Sequence, residues 1–390
     1  MGHKGTIYSV EQKEFREIFV QEKFFQLLRY TLDETHALPR EMADEEWRML
    51  FEIARQQSLL GLLFDGIQRW SKEGQGHTGP PRDVLLKWYT ISERIKAGNK
   101  RANAVCVEVT DVFAQNGFRT CVLKGQGNTL NYPSPFIRTS GDIDLWIEGG
   151  VAQVLSFLRG KHSCGNVAYH HADAGTYRGV AVEAHYRPSF MANPVHNQRM
   201  QEWFKTVQDE QFSHQVHLAD EEGRVCVPTH AFNRIYQLTH IFKHVIQDGI
   251  GLRQIIDYYF VLKQGLTEEE RVRDERLLRH LGLYKVASAV MWVLKEALGM
   301  EEKCLLVKPN KKLGGFLLDE IMLSGNFGQY DPRVKHGVSQ WEKNLQRLKR
   351  DWRLVWYFPS ECLWEPVFRW YHFFWRLRHE GHSGVSSCML

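Results

Sequence analysis

No two of the seven cysteines lie close together, and their number is odd. A disulfide framework and a structural zinc site are therefore not expected. The simplest reading is a cytoplasmic protein with reduced thiols. Long apolar runs are missing as well. The longest, Val286 to Leu294, sits inside an amphipathic stretch and falls short of the roughly 18 residues of a spanning helix, so no membrane span is expected. The first dozen residues lack the apolar stretch of a secretory signal. Gly2 and Thr6 match the letters of an N-myristoylation pattern that is short enough to arise by chance. The C-terminal Ser387-Cys388-Met389-Leu390 lacks the fourth-from-last cysteine that prenylation needs. One-sided charge is absent too. Fifty Lys and Arg against 46 Asp and Glu leave a net charge of +4, which demands neither nucleic acid nor a lipid surface, and no DNA partner is expected. Repeats and low-complexity tracts are not found. A hydrophobic share of 43% with 25% charged residues excludes a wholly disordered or collagen-like chain.

What is present is a chain long enough for about two or three domains. Its apolar spacing is helical over the first hundred residues: Phe15, Ile18, Phe19, Phe25 and Leu28, then Trp47, Leu50, Phe51 and Ala54. Lys72 to Pro81 reads as a loop, and a long helix is predicted from about Arg82 to Asn116, with Gly117 placed to end it. The period then changes. Phe118 to Leu123 reads as a strand entering the turn Lys124-Gly125-Gln126-Gly127. Asp142 to Ile147 alternates acidic and apolar residues, and Val151 to Leu158 suits a short helix. Further strands are expected at Asn166 to His171 and Thr176 to Tyr186, with a strand pair near Gln215 to Val227. The expected fold class is α+β, a small mixed β-sheet core flanked by N-terminal and C-terminal helical regions. The expected regions are 1–100, 101–228 and 229–390.

The chemistry concentrates in Val122 to Glu148. On a strand, Asp142 and Asp144 project from one face and Ile143 and Leu145 from the other. Two like charges so close repel each other unless a cation sits between them. The pair is either a solvated edge or one wall of a magnesium site, since Mg²⁺ takes hard oxygen ligands. Glu183 stands alone among the apolar residues of Val180 to Tyr186. Beside the two aspartates it would complete three carboxylates around one or two metal ions. Lys124-Gly125-Gln126-Gly127 offers backbone N–H groups that can cradle phosphate oxygens.

Leu123-Lys124-Gly125, Tyr132-Pro133, Arg138, Gly141-Asp142-Ile143-Asp144-Leu145 and Glu183-Ala184-His185 together resemble the signature of the bacterial "uncharacterised nucleotidyltransferase" family, within the polymerase-β-like superfamily. The resemblance extends to His240, His244 and Gly251 to Asp257, and covers roughly residues 47 to 262. It implies that Asp142, Asp144 and Glu183 hold two Mg²⁺ ions, with Mn²⁺ as a substitute. It implies that Lys124, Gly125, Gln126, Gly127 and Arg138 grip an NTP, and that a nucleoside monophosphate passes to an acceptor. The acceptor is left open between a small molecule, a sugar, a protein and RNA. The superfamily usually carries its glycine pair closer to the Asp-x-Asp than Gly125 stands here.

Five further residues are candidates for the substrate pocket. His240 and His244 share a helical face, as a packed pair or as substrate contacts. Arg253 and Asp257 are four apart and can pair with each other or with the histidines. His185, on the strand face of Glu183, can orient that carboxylate or touch substrate. Last, Lys335 to His379 holds nine Lys/Arg and four Asp/Glu, interleaved with Trp341, Trp352, Trp356, Tyr357, Trp364, Phe368, Trp370, Tyr371, Phe374 and Trp375. Trp341, Leu345, Leu348, Trp352 and Val355 keep helical spacing. The expectation is that these aromatics fill the core of C-terminal helices. The other readings are binding to single-stranded nucleic acid, with a catalytically inactive nucleotide- or RNA-binding protein as the functional alternative, and contact with an anionic membrane surface.

Overall fold

The computed structural model describes residues 20–37, 41–73, 79–335 and 337–379. Gly2, Thr6, Phe15, Ile18, Phe19, Cys388 and the middle of the Lys72–Pro81 loop lie outside these residues. The first helices are α1 (20–32), α2 (Asp44–Gln56) and α3 (Leu60–Glu73). On α2 the helical period puts Trp47, Leu50 and Ala54 on one buried face. Trp47 and Trp70 of these helices share a core with Ile235, Tyr258 and Leu317 from the later part of the chain. Helix α4 (Arg82–Gln115) is a single run of 34 residues, so the boundary expected near residue 100 falls inside it. It closes as predicted at Gly117, whose N–H reaches Ala114 O while that of Phe118 reaches Phe113 O.

Four strands form one mixed sheet in the order β1 (Thr120–Val122), β2 (Ile143–Ile147), β4 (Val180–His185), β3 (His171–Tyr177). The pairs β1–β2 and β3–β4 are antiparallel, and β2–β4 is parallel. The crossover after β2 carries α6 (Val151–Gly160); the short α5 (Gly125–Thr129) follows β1. Alternation along β2 decides what each face holds. Ile143, Leu145 and Ile147 join Val105, Val109 and Phe113 of α4 and Leu155 of α6. Each such side chain withdrawn from water contributes about 1.5–3 kcal/mol. Trp146 faces the other way, its ring 4.7 Å from Phe212 and 5.9 Å from Phe232. Asp144, two residues earlier, shares that face.

Two strand expectations need correction. Thr176 to Tyr186 is not one strand. The chain reverses at Arg178-Gly179, both with positive φ (+48° and +80°), so Tyr177 pairs with Val180. A two-residue hairpin loop of type I′ needs that geometry at both positions, and only the second residue is a glycine. The strand before it starts at His171 rather than ending there, and Val167 makes only an isolated bridge to Ala172. The predicted pair near Gln215 to Val227 forms as β5 (Gln215–His217) and β6 (Arg224–Cys226).

Helices α7 (Pro194–Gln211), α8 (His230–Gln247) and α9 (Leu252–Lys263) come next, followed by α10 (Glu268–His280), α11 (Tyr284–Trp292) and α12 (Lys311–Ser324). The last two are α13 (Gln340–Leu354) and α14 (Pro359–His379). The aromatics of α13 and α14 do not fill a core as expected. Trp341, Trp352, Trp356 and Trp370 are 72%, 71%, 76% and 67% exposed, and of the ten only Phe368 and Trp375 are buried. The cause lies on the inward faces. Asp351 turns inward to Arg369 (2.6 Å), and Glu361 accepts from the backbone of Ala192 (2.7 Å). Arg350, Asp351, Glu361 and Glu365 share the interior side with Leu354, Cys362, Phe368 and Trp375, and the rest of the aromatic stripe is left outside. The six described cysteines are free. Among the described residues, no helix is long and apolar enough to cross a membrane.

Candidate active site

The parallel pairing of β2 with β4 puts Asp144 in register with Glu183, and the antiparallel pairing of β4 with β3 puts Asp173 on the other side of Glu183. The carboxylates thus form a row across three strands. Asp142 stands one residue before β2, exposed, and opens onto the same cleft. The cleft is small, with a cavity volume of about 130 Å³.

Two groups hold Asp144. Lys124 Nζ lies 2.8 Å from Asp144 Oδ1, and His185 Nε2 lies 2.9 Å from the same oxygen and 3.2 Å from Glu183 Oε2. His185 is 1% exposed, so it sits behind the two acids and orients them. Burial alone would raise the Asp144 carboxyl, but Lys124 and His185 hold it far below the carboxylate range. Burial is again the largest effect on Glu183 and works against its ionised form, but the His185 hydrogen bond together with the charges of His171 and His185 holds it down to about 2. Asp142 has no such partner. The charge of Asp144, then partial loss of water, push it up to about 6.

Helices α8 and α9 form the opposite wall. His240 Nδ1 is 3.4 Å from Lys124 Nζ. Its ring meets His244 edge-on, with centroids 4.4 Å apart. His244 also approaches Asp248 (3.4 Å). Burial pushes His240 well below its ordinary value and His244 down to about 4, which keeps both neutral near pH 7.

The expected Arg253–Asp257 pair does not form. Asp257 is instead clasped by Arg138 through two bonds (Nε–Oδ1 2.7 Å, Nη2–Oδ2 2.8 Å), and Tyr132 Oη donates to it at 2.7 Å. Arg138 and Asp257 are 6% and 4% exposed. The fork fixes the 131–140 loop to α9, and Asn99 of α4 ties the same loop through the carbonyls of Phe136 and Arg138. Arg253 is freer. Its Nη1 donates to Thr139 O (3.1 Å), its Nε is buried without a partner, and its guanidinium lies 5.3 Å over the Phe327 ring.

Gly125 lines the cleft, but Gln126 and Gly127 do not. The turn has wound into α5, which points Gln126 away, onto Asn103 of α4. Lining residues that escaped the sequence reading include Lys243, His171, Gln237 and Phe327. Lys243 is 3.0 Å from His170 Nε2. Burial, then the charge of Lys124, lower it to about 8. Its spacing of three from His240 was a usable signal. His171 sits 3.6 Å from Glu183. Phe327 has φ +53°, a strained backbone for a bulky residue. No sequence signal marks it. Gly328 makes room for that turn, because a Cβ there would stand 2.0 Å from Asp248 O.

Of three comparisons with known proteins, the family match places the chain. A family model described as "uncharacterised nucleotidyltransferase" matches residues 43–299, more than half of the chain. No curated protein matches. Among solved structures, the chain is similar to an antigenic nucleotidyltransferase-like protein from Paracoccidioides brasiliensis. That similarity is at 14% identity with a TM-score of 0.30, over 52% of this chain and 94% of that one. On the family match, this chain belongs to the uncharacterised nucleotidyltransferase family.

Proposed function

We propose that the protein moves a nucleoside monophosphate from an NTP to a nucleophilic acceptor, releasing pyrophosphate, in the cleft between β2, β4, α8 and α9. The observation that carries this reading is the meeting of Asp142, Asp144 and Glu183 in one cleft walled by Lys124, Lys243 and Arg253. These residues fit magnesium. The donors are hard oxygens, and the repulsion that lifts Asp142 to about 6 is relieved by a divalent cation. Mg²⁺ or Mn²⁺ bound there would supply Lewis-acid polarisation of the phosphates and of the acceptor oxygen.

The chain's own groups do the rest. His185 keeps Asp144 and Glu183 aimed and ionised. Lys124, released from Asp144, turns to the phosphates. Lys243 and Arg253 neutralise the triphosphate, and Gly125 offers its backbone. The Arg138–Asp257 fork holds the loop that carries Asp142 rather than the nucleotide. The acceptor oxygen attacks the α-phosphorus as the bond to the β-phosphate oxygen breaks, and the acceptor's proton passes to a cleft carboxylate. Thermal unfolding with each of the four NTPs, with and without Mg²⁺, tests this. A ligand at about 100 times its Kd adds roughly 2.7 kcal/mol. A Mg²⁺-dependent rise that Asp142→Ala/Asp144→Ala loses is the expected result. No rise with any NTP counts against transfer.

One observation favours a second reading. The exposed tryptophans of α13 and α14 are interleaved with exposed Lys343, Arg347, Lys349 and Arg378. Bases of single-stranded RNA stack on such a surface. On this reading RNA affinity falls steeply with salt and with Trp352→Ala. Weak, salt-insensitive binding argues against it.

A further inference from the structure

Beyond the three carboxylates, the sheet face carries more metal-binding side chains than a magnesium site uses. The antiparallel register sets Asp173 opposite Glu183 and His171 opposite His185. His171, Asp173 and Glu183 place one ligand atom each within 4.8 Å of the others, and so do His170, His171 and His185. Asp142 belongs to neither set. His171 Nδ1 is 3.6 Å from Glu183 Oε2. Behind them, His170 and His185 are 6% and 1% exposed. Each keeps a buried Nδ1 with no hydrogen-bond partner, so imidazole nitrogens remain unspent in a place where an unpaired polar atom is costly. Asp173 is only half-buried, which leaves a path for an ion from solvent.

We infer that His171, Asp173 and Glu183 form a second metal site, for a divalent ion of the Mn²⁺, Fe²⁺ or Zn²⁺ class. The donor chemistry selects that class. Mg²⁺ keeps several waters and is usually held by one or two carboxylates. A mixed imidazole and carboxylate set suits first-row transition ions. The site shares Glu183 with the proposed transfer site but needs no nucleotide. Its role is to fix Glu183 from the β3 side, as Lys124 and His185 fix Asp144 from the other.

The test is calorimetric titration of the full chain with MnCl2 and with MgCl2, in the absence of nucleotide. Mn²⁺ is expected to bind about tenfold or more tightly than Mg²⁺. His171→Ala and Asp173→Asn are each expected to weaken Mn²⁺ by about tenfold or more, at least the loss that removal of a metal's outer-shell partners causes. Bound Mn²⁺ should show nitrogen coupling in its electron spin-echo spectrum, lost in His171→Ala. Asp173→Asn is nearly isosteric, so it decides the matter if His171→Ala unfolds. Equal affinity for the two ions overturns the inference. So does Mn²⁺ binding that both variants leave intact, or Mn²⁺ binding that appears only with an NTP. If Mn²⁺ binds as expected and no NTP raises the melting temperature, the transfer reading fails and this one stands.

Discussion

Around the cleft, Arg138, Asp144, Asp257 and His185 are each less than a tenth exposed; on α13, α14 and the turn between them, Trp341, Trp352, Trp356 and Trp370 are each more than three-fifths exposed. Both regions depart from the usual sorting of charge outside and aromatic inside, in opposite directions. The inner departure is compensated group by group. Asp257 has Arg138 and Tyr132, and Asp144 has Lys124 and His185. The outer departure has no compensation in the described chain. The lesson concerns where a substitution is felt. A buried charge is tied to its partner and cannot be removed alone. An exposed ring touches little and can be removed at almost no cost to the fold.

The largest effect should come from breaking the fork. Asp257→Ala leaves Arg138 buried and unpaired, and loss of one partner of a buried ion pair costs about 3–5 kcal/mol. Urea unfolding checks it, and a loss near 1 kcal/mol would mean that water reaches Arg138. Next is Asp142→Asn. A carboxyl whose native pKa is raised contributes full stability below its unfolded value near 3.8 and loses it as pH rises through about 6. Metal-free Asp142→Asn should therefore melt above the parent at pH 7, with a gain that fades toward pH 4. A lower melting temperature at pH 7 would show that no repulsion was relieved. The smallest effect is expected at the aromatic face. Trp352→Ser/Trp356→Ser should change stability by no more than about 0.5 kcal/mol per site. A larger drop would show that these rings are covered in solution and would collapse the contrast.

Some of this was legible in the residues. The alternation of Ile143, Asp144 and Leu145 announces a strand with one acidic and one apolar face, and the helical period runs unbroken from Arg82 to a terminal glycine. Side-chain partners across long separations were legible only where chemistry or the family resemblance marked them. Glu183 was expected beside Asp144 on those grounds, since the parallel pairing of β2 and β4 leaves no local turn to read. Asp257 had one spacing-compatible partner nearby, Arg253, yet pairs with Arg138, which is 119 positions away. The direction of the aromatic stripe was hidden for a related reason. Spacing shows that a helix has two faces, but what packs against them decides which one turns inward.

The hairpin loop at Arg178-Gly179 fixes more than a change of direction. A strand's side chains alternate with period two, so a slip of one residue exchanges its faces entirely. An added or deleted residue between Tyr177 and Glu183 would send the acid into the apolar cluster and bring Val182 or Ala184 to the cleft. In this protein, a change of length in that hairpin would be more damaging to the cleft than a change of residue at most positions in it.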